Sequence, residues 1–202
     1  MKFTQTIFAA ALTYLSGGAN ALVLTFDELG PAPGISVQNI GNLYSSGGFQ
    51  ISGTAPFIIY GSTRQEWTGS TGLTLAAVAG TVELKAIDGS PFAFNSIDLA
   101  RGDSNAFLIT VNFDGLRADG THANAAYAFS DTMIGKNNTF SLGPSFASVT
   151  SVSWHQGAIW SQFDNVNISA VPETPTVSLL ALGFVIVLRH GLKNKNRVAI
   201  AA

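Results

Sequence analysis

The chain has 202 residues, of which 11% are charged and none is cysteine, and its formal net charge is −2. That length holds one domain of ordinary size plus processing segments, since domains take roughly 100 to 200 residues. The missing cysteines exclude disulfides, thiolate zinc sites, iron–sulfur clusters and a cysteine nucleophile together, and so low a charge content argues against a helical cytosolic enzyme and for a β-rich extracellular protein.

At the N-terminus, Lys2 precedes an apolar run from Ile7 to Leu15, and Ala19-Asn20-Ala21 forms a small-x-small site after Ser16-Gly17-Gly18. This is the layout of a secretory signal peptide over residues 1–21, read by signal peptidase through Ala19 and Ala21, and it predicts a mature chain beginning at Leu22.

From Leu22 to Ile168 the chain reads as short strands separated by turns, at Leu22–Phe26, Gly48–Ser52, Pro56–Tyr60, Leu73–Val78, Thr81–Ile87, Phe92–Leu99, Ala106–Phe113, Ala123–Phe129, Thr139–Leu142, Val149–Trp154 and Ile159–Ile168. Asp88-Gly89, Gly102-Asp103, Asp114-Gly115 and Asp119-Gly120 are expected turns between them. Phe107, Ile109, Val111 and Phe113 alternate with smaller or polar neighbours, so each strand offers one apolar face. The expected fold is all-β, a single antiparallel β-sandwich over residues 22–170. Between Leu22 and Val171 five bases stand against eleven acids, a net charge of −6. A domain so short of cations is not a nucleic-acid binder, because duplex binding requires a cationic face.

Signatures of catalysis are missing. His190 lies in the basic tail, and His122 and His155 alone cannot build a three-ligand zinc site. Gly-x-Ser-x-Gly, the dinucleotide fingerprint, the P-loop and His-Glu-x-x-His are all absent. A His122–Asp119 dyad falls in a turn-rich stretch suited to solvated loop residues. Glycoside hydrolysis needs two carboxylates roughly 5 to 10 Å apart, and on a strand these would stand two or four positions apart. Glu83 and Glu66 have no such neighbour, Asp98 meets only Arg101 and Asp103 past its strand end, and Asp27 and Glu28 point to opposite faces. The chain is therefore expected to be non-enzymatic and to need no cofactor.

A structural calcium ion is the metal the sequence could hold, with oxygens from Asp27, Glu28, Asp164 and Asn165 if the first and last strands are neighbours; bonds from Asp27 and Asp164 to their local backbone are the alternative. For carbohydrate, Trp67 lies in the polar stretch Arg64-Gln65-Glu66-Trp67-Thr68-Gly69-Ser70 and is the first candidate stacking platform, with Trp160 and Gln162 second. A rim residue covering the sandwich edge is the alternative role for Trp67. Trp154 and the phenylalanines are expected in the core.

At the C-terminus, Val171-Pro172-Glu173-Thr174-Pro175 precedes an apolar run from Thr176 to Leu188, followed by a tail containing Arg189, Lys193, Lys195 and Arg197. A helix over 176–188 would be about 20 Å long, shorter than the roughly 30 Å of bilayer hydrocarbon. The basic tail would keep this end cytoplasmic and snorkel to ease the mismatch. This order of signature, short anchor and basic cluster over residues 171–202 resembles the PEP-CTERM sorting signal of bacterial envelope and biofilm-matrix proteins. It departs in reading Pro172-Glu173-Thr174 with the second proline displaced to Pro175. The resemblance implies recognition by an exosortase, cleavage near Pro172 to Pro175, and release of the domain to the cell surface or an exopolysaccharide matrix. A sortase signal fits less well, since Val171 and Pro175 replace the leucine and glycine it uses. Leu24-Thr25-Phe26-Asp27-Glu28-Leu29, Gly47-Gly48-Phe49, Phe94 to Ala100 and Phe163-Asp164-Asn165-Val166 also resemble the jelly-roll ectodomains that carry this signal, and imply a carbohydrate-binding-module-like sandwich. The alternative function is a structural surface protein that contacts other proteins through exposed sheet edges; an extracellular glycan-active enzyme is the third.

Overall fold

A computed structural model describes residues 21–31, 33–77, 79–102, 109–129, 134–155 and 161–171. The export segment before Ala21, the motif from Pro172 and Glu173 onward, the anchor at 176–188 and the basic residues Arg189, Lys193, Lys195 and Arg197 lie outside the described residues, as do Asp103 and Trp160. No helix among the described residues is long and apolar enough to cross a membrane. Asn20–Val171 forms one compact unit.

The domain is all-β. Its strands are β1 (Ala21–Leu24), β2 (Val37–Ser46), β3 (Phe49–Tyr60), β4 (Thr74–Leu75), β5 (Thr81–Ala86), β6 (Phe92–Arg101), β7 (Ile109–Leu116), β8 (His122–Phe129), β9 (Asn138–Ser141), β10 (Ser151–His155) and β11 (Ser161–Ala170). A narrow sheet runs β1-β11-β6-β9 and a broad one runs β2-β3-β5-β10-β7-β8, with β4 paired to β3. Every strand pairing is antiparallel. Leaving out β2 to β4, the two four-strand orders interleave as in a jelly roll of two Greek keys, and β2 and β3 extend the broad sheet beside β5.

Alternation along the strands explains the sandwich. Val82, Leu84 and Ala86 of β5, Val152 and Trp154 of β10, and Val111 and Phe113 of β7 are buried, while the residues between them face out. The inner faces meet in an aromatic core: Phe163 of the narrow sheet stands edge-on to Phe26 at 5.7 Å and to Trp154 at 5.0 Å, and Trp154 stacks on Phe94 at 6.2 Å. Trp154 and most of the phenylalanines among the described residues are in the core, as their sequence context led one to expect.

The two ends of the sandwich differ. One carries tight connections, including the β2–β3 hairpin, whose Gly47 and Gly48 have φ of 58° and 84°; a two-residue turn with both φ positive is the one that matches strand twist. Ala21 opposite Ser169 and Ala170 opposite Phe92 put both ends of the domain there too. At the opposite end β3, β6, β8 and β10 finish, at Tyr60, Arg101, Phe129 and His155, and the connection 61–73 lies there, which makes it the long-loop end.

Three features depart from the sequence expectation. Val37–Ser46 is a strand that its Gly, Asn and Ser content concealed, and Phe49–Tyr60 is continuous where two strands were expected. Asp114-Gly115 is no turn but lies inside β7. Gly115 is there because a Cβ at that position would come within 2.9 Å of Phe146 and Val149, a close approach that only glycine permits.

Candidate functional site

At the long-loop end, the segment 61–73 folds back over β11. Glu66, 4% exposed, accepts two bonds from Arg64, Nε at 3.0 Å and Nη2 at 2.9 Å, and the same guanidinium carbon lies 5.7 Å from the Tyr60 ring centre. Gln162, expected to take sugar hydroxyls, does not: it is 2% exposed and its Nε2 donates to the carbonyls of Glu66 at 2.7 Å and Arg101 at 3.3 Å. Its amide holds the loop to the sheet, because two buried carbonyls facing an amide group must be satisfied. Trp67 is half-buried beside the exposed Arg64. Arg101 is fully buried, and among the described residues its three guanidinium nitrogens have no hydrogen-bond partner.

The four residues proposed for calcium are split. The Tyr44 hydroxyl donates to Glu28, which with burial as the larger cause pushes the phenol pKa up to about 12. Asn165, in the left-handed region at φ 46°, donates its side-chain amide to Asp98 at 2.8 Å. Asp27 accepts from the Thr71 N–H at 3.0 Å, and Asp164 accepts from the Ser70 hydroxyl at 2.5 Å and the Asn165 N–H at 2.7 Å. Among the described residues no three Asp, Glu or His gather so as to hold a metal ion, and Asp164 has protein donors on both of its carboxylate oxygens, so the four residues are not brought together as a calcium donor set.

Asp164 and Asp98 stand directly opposite each other in the β6–β11 pairing. Burial, first, and the charges of Asp27 and Asp98 push the Asp164 carboxyl above the ordinary carboxylate range, against the bonds from Ser70 and Asn165. The native state then holds that proton more tightly than the unfolded chain, so this group's contribution to stability falls as pH rises from the ordinary range through the raised value. Exposed Asp88 and Asp119, lowered by bonds from Ser90 and Thr121, act with the opposite sign. Thermal melts from pH 4 to 8 should therefore differ between the protein and Asp164→Asn, with the variant gaining relative stability toward high pH; parallel curves would refute the assignment.

The outer face of the broad sheet is mostly polar, with Leu43 and Leu116 as exposed apolar residues in its rows. Strand register aligns Leu43, Ser52, Glu83, Ser153, Asp114 and Asn124 in one row across six strands. A second row aligns Gln50, Lys85, Ser151, Leu116 and His122, and a third joins Thr81, His155, Asn112 and Ala126. Each of these side chains is exposed or half-exposed. His122 Nδ1 lies 2.6 Å from Asp114 Oδ1; its partner is not Asp119, which accepts instead from Thr121 N–H at 2.9 Å and its hydroxyl at 2.6 Å. Glu83 and Asp114 have Ser153 between them, about 10 Å apart at two strand spacings. Spacing within one strand could not reveal this pair, because the residues meet across strands; the signal present was only that both fall at outward positions.

Neither a protein-family model nor a curated protein sequence matches the chain. Among solved structures, a family 29 carbohydrate-binding module from Piromyces equi is similar at 13% identity with a TM-score of 0.43, over 76% of this chain and 92% of that one. A DUF4465 family protein from Bacteroides ovatus is similar at 8% identity with a TM-score of 0.44, over 75% and 99%. An agarase is similar at 9% identity with a TM-score of 0.38, over 75% of this chain and 25% of the agarase.

Proposed function

We propose that this is a non-enzymatic protein of the bacterial surface or biofilm matrix, exported by its N-terminal segment, sorted by an exosortase, and binding exopolysaccharide through the outer face of the broad sheet. The observation that carries the reading is the row Ser52, Glu83, Ser153, Asp114, Asn124: hydroxyl, carboxylate and amide groups in register on an open face, which offer both donors and acceptors to successive sugar hydroxyls. Hydrogen bonds to ionised groups contribute about 1.5 to 3 kcal/mol each, so the two carboxylates are the strongest contacts in the row. A binding role suits the face better than hydrolysis. Glu83 and Asp114 sit on an open sheet with nothing to exclude water, and the Asp98–Asp164 pair is closed off by Ser70, Thr139 and Asn165.

Mass spectrometry of cell-derived protein tests the processing: the chain should begin near Leu22 and end near Pro175, and a retained anchor would refute sorting by cleavage.

Affinity electrophoresis in the producer's own polysaccharide tests the binding. Glu83→Ala with Asp114→Ala is expected to weaken retention about tenfold or more, from the loss of charge-assisted bonds. Trp67→Ala marks the alternative location, favoured by the half-exposed ring next to Arg64; loss of retention there alone would move the site to the loop end. Retention unchanged in all variants would remove the polysaccharide reading, and turnover of the glycan would overturn the non-enzymatic one.

A further inference from the structure

The broad sheet ends in two edges, β2 and β8, and they are built differently. The pairing of β2 with β3 shifts register twice around Gly41, and such bulges turn an edge away from new partners. β8 pairs with β7 without interruption, from Ile109 opposite Phe129 to Leu116 opposite His122. Its sequence His-Ala-Asn-Ala-Ala-Tyr-Ala-Phe has no proline, lysine, arginine or carboxylate. His122, Asn124, Ala126 and Ala128 are exposed, and among the described residues no strand lies on the far side of β8. Among the described residues none of the devices that guard a free edge is present along this strand, about 26 Å long, and every second residue turns its backbone donor and acceptor away from β7 toward the open side.

We propose that β8 pairs antiparallel with β8 of a second copy of this chain, about a two-fold axis at Ala126, and joins the two broad sheets into one. A second copy is the fitting occupant for three reasons. The domain carries a net charge of −6, so two copies repel over most of their surface, yet none of its acids lies on β8. Centring on Ala126 sets Asn124 opposite Ala128 and Ala125 opposite Tyr127, so outward residues stay outward and the small side chains of Ala126 and Ala128 meet their partners on the outer face. It also leaves His122, held by Asp114 of its own molecule, outside the new pairing. An interface with the same patch on both partners closes as a dimer and does not run on as a fibre. The polar rows of the two copies then form one continuous face.

The chain has no cysteine, so a single substitution supplies a unique thiol. Residues opposite one another in an antiparallel pair have Cα atoms about 4.5 to 5.5 Å apart, within disulfide reach. The full chain in detergent micelles carrying Ala126→Cys should form disulfide dimers on mild oxidation. Leu43→Cys, on β2 at a residue 53% exposed, should not. In sedimentation velocity the unmodified chain should dimerise with rising concentration, and Ala126→Lys should lose the dimer while its melting temperature holds; Asn124→Lys replaces it if Ala126→Lys does not fold. Equal cross-linking at both positions, a dimer that survives either lysine, or an unmodified chain that stays monomeric at every concentration would each overturn the proposal. Polysaccharide retention is read separately and does not decide this outcome.

Discussion

Phe163→Ala is expected to cost about 3 to 5 kcal/mol of stability, the range for truncating a buried phenylalanine. Native domains are stable by only about 5 to 15 kcal/mol, so the variant should unfold at a much lower urea concentration or fail to accumulate. Phe163 is 2% exposed on β11, and its ring meets Phe26, Phe57 and Trp154. Phe57 and Trp154 belong to the other sheet, so removal opens a void at the seam between layers rather than at one surface. Its backbone also exchanges two hydrogen bonds with Leu73, at 2.8 and 2.9 Å, which fix the strand and prevent collapse into the void. Urea unfolding should show a fall in midpoint with little change in slope. A loss under about 1 kcal/mol, below that whole range, would mean that the two sheets do not meet at this ring.

Arg101→Met is expected to act in the other direction, stabilising the domain by about 1 to 4 kcal/mol, as apolar replacement of buried charge has done elsewhere. The side chain is fully buried at the end of β6, and no described residue bonds its guanidinium. Taking a charge out of water costs several kcal/mol and is recovered only through paired groups. Methionine keeps most of the apolar stem and fills irregular space without a charge. A higher urea midpoint for Arg101→Met is the supporting result. Destabilisation by more than about 1 kcal/mol, the net worth of an ordinary hydrogen bond, would show that the guanidinium is satisfied in solution by a group it needs.

The contrast between the two residues shows how far a linear reading reaches. Phe163 is out of phase with the inward Val166 and Ile168, because β11 shifts register between Asp164 and Asn167, yet a large apolar side chain in a strand still has one destination. Arg101 occupies the inward position of a strand too, two residues beyond Leu99, yet its charge suggests a surface. Its burial is set by tertiary neighbours that the linear sequence does not place beside it.

The same division runs through the rest of the molecule. Alternation of apolar and polar residues was enough for the all-β class, for most strand positions and for the aromatic core, because those follow from which side of a pleat each residue takes. The β2 strand was hidden because an edge strand needs few apolar residues. The distribution of Glu83 and Asp114, the bond from His122 to Asp114, the anchoring of Gln162 and the separation of Glu28 from Asp164 depend on which strands lie side by side. That is decided by strand pairing and sheet order, which bring together residues 8 positions apart, as His122 and Asp114 are, or 96 apart, as Gln162 and Glu66 are, without leaving any local pattern in the chain.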